Sequence, residues 1–234
     1  HRTGRRVPRG LRGVPLVTTH DIAKTERMEM YLKAVLTLQQ AAPPATVTKV
    51  AEFMGVSAPS ASEMLRRLEQ QGYVRGADEG FDLTASGQEK ATTVVRRLRL
   101  AERLLTDVLK LELPKVYEEA CKMEHVISDE VEEKLAAVLG HPATCPHGLP
   151  IPGEAKRVVP TRPLIELTPG QETRIASVPE EDSALLEYLV EQGLVPETTV
   201  VLGGMAPFNG PVSLRVGGVT RAISREVAAR IRVC

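Results

Sequence analysis

Residues 46–84 constrain the fold of this 234-residue chain more than any other stretch. TVTKVAEFM opens on Thr46, a residue able to cap a short helix, and Val47, Val50, Ala51 and Met54 share one face at helical spacing. Gly55-Val56 turns the chain. SAPSASEMLRRLEQQ then opens on a second cap, Ser57, with Pro59 in the first turn, where a missing N–H is harmless. Ala61, Met64, Leu65 and Leu68 form the inner face; Ser60, Ser62, Glu63, Arg66 and Arg67 face out, and Gly72 ends the helix. Two short helices about a tight glycine turn are the helix-turn-helix pattern. YVRGADEGFDLT follows at once, two β runs around GADEG, which predicts a hairpin. Helix-turn-helix plus hairpin is a winged helix, and its expected partner is double-stranded DNA. Small side chains at SAPSAS let the second helix enter the major groove, where hydroxyls reach phosphates or base edges.

The flanks are also helical in pattern. KTERMEMYLKAVLTLQQAA carries apolar residues at 28, 31, 32, 35, 36 and 38 and stops at Pro43-Pro44. Ser86-x-x-Glu89 reads as a capping box opening a helix through about Lys110, with Val94, Val95, Leu98, Leu104, Leu105 and Val108 as its stripe. VYEEACKMEHVISDEVEEKLAAVL continues the helical pattern, its stripe running Val116, Ala120, Met123, Ile127, Val131, Leu135; the helix containing EACKMEHV is expected first, then another at DEVEEKLAAVLG. Helices after a winged module suit a homodimer interface, because two recognition helices then read a palindromic operator about one DNA turn apart. HPATCPHGLPIPGEAKRVVPTRP is rich in Pro and Gly and reads as a linker. Beyond it the period shortens to strands, with Asn209-Gly210 as a hairpin turn and SALLEYLVEQG as one interposed helix.

The expected fold is mainly α with α+β elements: a basic disordered arm (1–20), a winged helix-turn-helix DNA-binding domain (21–85), a helical metal-binding and dimerisation domain (86–150), a linker (151–163) and a small β-barrel (164–234). No apolar run approaches the roughly 18–20 residues of a membrane span, and the first 20 residues lack the apolar stretch of a secretory signal. Three cysteines form no disulfide framework, so a cytoplasmic setting is expected. Net charge is zero, yet residues 1–110 hold 18 Lys+Arg against 12 Asp+Glu and residues 111–234 hold 12 against 18. A basic front suits nucleic acid and an acidic back suits cations. An enzyme is disfavoured: there is no nucleophile–base pair, phosphate loop or His-Glu-x-x-His signature.

EACKMEHV, residues 119–126, raises the cation question directly. Cys121, Glu124 and His125 fall at i, i+3 and i+4, which share one helical face. Sulfur, oxygen and nitrogen donors together suit a borderline divalent ion such as Fe(II), Mn(II), Co(II), Ni(II) or Zn(II). Each residue alone is equally at home beside a core stripe, so spacing leaves both readings open.

LAERLLTDVLKLELPKVYEEACKMEHVISDEVEEKL, with MEMYL upstream and CPHGLPIPG downstream, closely resembles the diphtheria toxin repressor family of iron- and manganese-dependent transcriptional regulators. The resemblance runs from about Met30 to Gly153 and continues more weakly into a C-terminal domain like the Src-homology-3-like (FeoA-like) barrel of that family and of the ferrous-iron transport A proteins. It implies a primary metal site of Met30, Cys121, Glu124 and His125, the thioether-plus-thiol version seen in iron-responsive members. The family's ancillary site of two histidines and a Glu is broken here: Glu102 remains, but the histidine positions hold Leu98 and Tyr117. Some members, streptococcal manganese regulators among them, pair the same Glu with the Cys and His of the CPHG segment and an acidic residue of the C-terminal domain. That version implies Glu102, Cys145, His147 and Asp182, with Glu181 or Glu180 next in order. The cofactor expected is Mn(II) or Fe(II), up to two per subunit, with Zn, Co, Ni or Cd able to substitute in vitro.

The resemblance and the helix geometry together place Ser57, Pro59, Ser60, Ser62 and Glu63 at DNA bases, and Arg66, Arg67 and the wing's Arg75 at phosphates. The function expected is a homodimeric repressor with metal as corepressor, controlling metal-uptake genes. The rival is a metal-independent winged-helix regulator sensing redox state or a small molecule, with Cys121 as its sensor thiol.

Overall fold

The computed structural model describes residues 19–154 and 159–234; most of the predicted basic arm lies outside them. The chain divides into two compact units, meeting at Gly87/Gln88. No helix among the described residues is long and apolar enough to cross a membrane.

The first unit begins with α1 (Thr19–Ala41), whose Tyr31, Leu32, Ala34, Val35, Leu36 and Leu38 are buried. Next come α2 (Val47–Met54) and α3 (Ala58–Gln70). Thr46 caps α2 by accepting the Lys49 N–H, and Gly55 at φ 63 ends it in the left-handed conformation that glycine adopts without strain. Ser57 caps α3, accepting the Ser60 N–H. Val50, Ala51, Ala61, Leu65 and Leu68 are buried as the sequence period required; each leucine contributes roughly 1.5–3 kcal/mol by leaving water. The wing is β1 (Val74–Ala77) paired antiparallel with β2 (Gly80–Leu83).

The second unit holds most of α4 (Ala85–Arg103), a π-helical turn at Leu104–Val108, α5 (Leu113–Met123) and α6 (Asp129–Val138). Two local expectations are corrected here, the cap of α4 and two stripe positions. Thr84, not Ser86, caps α4: its hydroxyl accepts the Gly87 N–H, and the Ser86 hydroxyl instead donates to the Gly72 carbonyl. The helical pattern from Val116 divides after Met123, and the separate helix expected at DEVEEKLAAVLG opens where the Ser128 hydroxyl accepts the Val131 N–H. Val131 is then 52% exposed and Val108 53%, so neither belongs to an inner stripe.

The remaining chain is a six-stranded antiparallel sheet in the order β3-β8-β4-β5-β6-β7. The strands are β3 (Arg162–Pro163), β4 (Glu172–Ser177), β5 (Thr199–Met205), β6 (Val212–Val216), β7 (Val219–Ile223) and β8 (Arg232–Val233). α7 (Ser183–Glu191) follows β4, and α8 (Arg225–Arg230), read in the sequence as strand, follows β7 under a Ser224 cap. Ile175, Leu186, Leu189, Leu202, Leu214 and Ile231 share one core. The β5–β6 turn centres on Phe208 and Asn209, both at positive φ, with the Gly210 N–H donating to the Pro207 carbonyl. It sits one residue earlier than Asn209-Gly210.

Candidate metal centre and nucleic-acid face

The largest correction concerns the stretch read as a linker. Ile151 and His147 are fully buried and Cys145 nearly so. CPHG is a tight turn: the Gly148 N–H donates to the Cys145 carbonyl, the Cys145 N–H to the Leu149 carbonyl, and Thr144 pairs with Pro150. The turn lies flat on β4. The Val178 N–H donates to the His147 carbonyl, and a Cβ on Gly148 would stand 1.9 Å from the Ala176 carbonyl oxygen, so only glycine fits. On its other side α4 holds the loop with three arginines. Arg103 donates to the Thr144 carbonyl (2.7 Å), Arg99 to Pro150 (2.6 Å) and Arg96 to Pro152 (2.5 Å).

That anchoring brings four donors together. Atoms of Glu102, Cys145, His147 and Glu180 lie within 4.8 Å of one another. His147 Nδ1 is 3.3 Å from Glu102 Oε1 and 4.0 Å from Cys145 Sγ, and the Cys145 thiol points at Glu180 Oε2 from 3.9 Å. The carboxylate of the C-terminal domain that joins this cluster is therefore Glu180, not Asp182. Asp182 caps α7, accepting the Leu185 N–H, and pairs with Arg230 at 2.8 Å, which holds its pKa below the ordinary value. The signal was present in the sequence: an Asp immediately before SALLEYLVEQ is an N-cap pattern.

The electrostatics suit a cation. Burial first, then Glu102, pushes the Glu180 carboxyl up to about 7, with Arg99 at 3.8 Å pulling the other way. Burial first, then the same two carboxylates, raises the Cys145 thiol well above its usual range. At His147 burial opposes the imidazolium, but Glu102 and Glu180 outweigh it and raise the pKa. Both Glu102 oxygens and His147 Nε2 are buried without a hydrogen bond among the described residues. A native core rarely leaves such groups unmatched, because each costs about 1–3 kcal/mol. Two carboxylates, a thiol and an imidazole converging around unmatched Glu102 oxygens and an unmatched His147 Nε2 fit a divalent transition-metal ion.

The EACKMEHV trio is arranged differently. Cys121 is on the last turn of α5, Glu124 is the residue that caps its C-terminus, and His125 lies beyond the helix. Glu124 keeps the helical conformation, its N–H donating to the Ala120 carbonyl at 3.0 Å. Glu124 is fully buried, and His125 Nε2 stands 3.2 Å from Glu124 Oε1. Among the described residues no other set of three His, Cys, Asp or Glu donors draws together as closely as the Glu102 cluster. Met30, half-buried on α1, belongs to the first unit and the trio to the second. Tyr117, at a histidine position of the ancillary pattern, has its hydroxyl pKa raised by burial and by the neighbouring Cys121 and Glu180.

On α3, Ser57, Pro59, Ser60, Glu63, Arg66 and Arg67 are exposed and Ser62 half-buried. Pro59, Ser62, Glu63, Arg66 and Arg67 line a shallow concavity. Ser57 donates its hydroxyl to Ser60 at 3.0 Å besides capping the helix. Arg75 on β1 is exposed and lies 3.5 Å from Asp82.

Comparison with known proteins covers the same three regions. Residues 23–79 match the family described as iron dependent repressor, N-terminal DNA binding domain. Residues 84–153 match iron dependent repressor, metal binding and dimerisation domain, and residues 162–234 match the FeoA domain. The iron-dependent repressor IdeR of Mycobacterium tuberculosis is 33% identical over 220 residues, 88% of this chain and 95% of that one. The diphtheria toxin repressor of Corynebacterium diphtheriae is 43% identical over 126 residues, 53% of this chain and 56% of its own length. A solved manganese-dependent transcriptional repressor in complex with manganese superposes with a TM-score of 0.82 at 32% identity, covering 88% of this chain and 98% of that one. With a relative one-third identical along nearly nine-tenths of its length, this chain belongs to the diphtheria toxin repressor and IdeR family, and it is a metal-dependent DNA-binding transcriptional repressor rather than an enzyme.

Proposed function

We propose that the chain is a homodimeric repressor of metal-uptake genes, acting in the cytoplasm, with Fe(II) or Mn(II) as corepressor at up to two ions per subunit. In this reading Met30, Cys121, Glu124 and His125 are the primary ligands, and Glu102, Cys145, His147 and Glu180 the second set. A bound divalent ion supplies positive charge to buried donors and a bond to each of them. The observation that carries the reading is the convergence of Glu102, Cys145, His147 and Glu180, with both Glu102 oxygens and His147 Nε2 left without hydrogen bonds.

The chain's own residues divide the work. Arg96, Arg99 and Arg103 hold the CPHG turn, so the second set is largely assembled before ligation. The primary set draws Met30 from the helix that precedes the DNA-binding pair and three ligands from the end of α5. It is complete only in one arrangement of the chain. A ligand shifts an equilibrium only by its differential affinity for the two states, and moving it from 1:99 to 99:1 takes about 5.5 kcal/mol. α3 then reads a palindrome with Ser57, Pro59, Ser60, Ser62 and Glu63, while Arg66, Arg67 and Arg75 contact phosphates. Serines discriminate bases weakly, so DNA shape supplies part of the specificity.

The test is a gel shift on the protein's own upstream region with chelator, Fe(II), Mn(II) and Zn(II). Retardation that needs metal supports the reading, and equal retardation in chelator removes metal from the corepressor role.

A further inference from the structure

The wing raises a question of aim. Across residues 74–83 Arg75 is its one cation, while its tip carries Asp78 and Glu79, both exposed. The wing therefore attracts or repels a phosphate backbone according to its angle. Something must fix that angle.

The hairpin ladder shows what does. Gly76 lies opposite Phe81, and both backbone N–H groups point outward, away from the partner strand. At the β2 edge the Phe81 N–H donates to the Ala45 carbonyl at 3.0 Å, and the backbone itself approaches closely: a Cβ on Gly80 would stand 2.5 Å from the Ala45 oxygen. At the β1 edge the Gly76 N–H donates to a side chain, Glu69 Oε1 on α3, at 2.8 Å. An ionised acceptor makes this the stronger kind of hydrogen bond. A Cβ on Gly76 would stand 3.2 Å from that oxygen, so a glycine leaves the carboxylate room to reach the amide. Gly76 is the residue after Arg75. The recognition helix thus holds the wing one residue from its cation.

We propose that Glu69 is a positioning residue for DNA binding: its carboxylate ties β1 to α3 so that Arg75, and not the acidic tip, meets the phosphate backbone. This rests on the proposed winged-helix contact with DNA. Glu69 is itself negative, so its bare charge disfavours DNA. A purely electrostatic role and a positioning role therefore predict opposite signs for its removal.

The experiment measures fluorescence anisotropy of the metal-loaded full chain on a duplex from its own upstream region, across a salt series. The variants are Glu69→Ala, Glu69→Gln, Arg75→Ala and the double Glu69→Ala/Arg75→Ala. Positioning predicts that Glu69→Ala and Arg75→Ala each weaken binding about five- to tenfold and lower the salt slope by about one per subunit. The double variant is then no weaker than Arg75→Ala alone. Glu69→Gln keeps an acceptor oxygen for the Gly76 N–H and stays within about twofold of wild type. Tighter binding by both Glu69 variants, or multiplicative losses in the double, overturns the proposal. Failure of metal-loaded wild type to bind at all, or an unaltered salt slope in Arg75→Ala, sinks the DNA reading beneath it instead.

Discussion

The two donor sets differ in how much of each is closed. Glu102, Cys145, His147 and Glu180 all belong to the second unit and lie within 4.8 Å of one another. The loop carrying two of them is pinned by arginines on one side and by β4 on the other. Cys121, Glu124 and His125 end a helix, and the proposed fourth ligand, Met30, sits on a helix of the first unit. A set assembled within one unit binds an ion whatever the rest of the chain does, and so acts as a fastener. A set that takes a ligand from each unit binds well only in one arrangement, and so reports on that arrangement. On the proposed ligand assignment the open set would be the switch and the closed set the support.

The largest expected effect separates those roles. His125→Ala should lower metal-stimulated operator affinity by about 100-fold or more, to the level seen in chelator. A variant that keeps full stimulation would place the switch elsewhere. Cys145→Ala with His147→Ala should lower the calorimetric count from two ions per subunit to one, while DNA binding still responds to metal. A count that stays at two makes CPHG a structural turn and nothing more. Within the closed set, Glu180→Ala should weaken the second ion about 100-fold or more, beyond the roughly 10- to 100-fold of losing a group that only orients a ligand. Asp182→Ala should leave that affinity intact and lower stability by about 1 kcal/mol through loss of the α7 cap. The reverse pattern returns the ligand to Asp182. Ser62→Ala is the smallest: specific binding weakens about threefold and non-specific binding at matched salt stays unchanged. Equal losses on both duplexes would take Ser62 out of base readout.

The two regions also differ in how far they could be read from residues alone. α2, α3 and the wing follow from local signals: Thr46 and Ser57 as caps, Gly55 in the left-handed conformation, and buried leucines at helical spacing. Each of those signals acts within a few residues. The CPHG turn carries the composition of a linker, and what makes it core is distant. Arg96, Arg99 and Arg103 reach it from α4, and the Ala176 carbonyl accepts only glycine beside it. No periodicity signals such contacts. Glu180 and Asp182 were indistinguishable as carboxylates; the α7 cap separates them, because Asp182 is already engaged with Leu185 and Arg230. At EACKMEHV the spacing i, i+3, i+4 suggests one helical face, and the helical conformation runs through Glu124 before Ser128 caps the next helix.

In the proposed function a ligand from the first unit makes metal control DNA binding. Operator affinity of Met30→Ala beside wild type, titrated with Mn(II) and Fe(II), tests it most directly. Wild type is expected to bind with metal and release in chelator, while Met30→Ala with metal binds no better than wild type in chelator. A Met30→Ala variant that keeps the full metal response would contradict it.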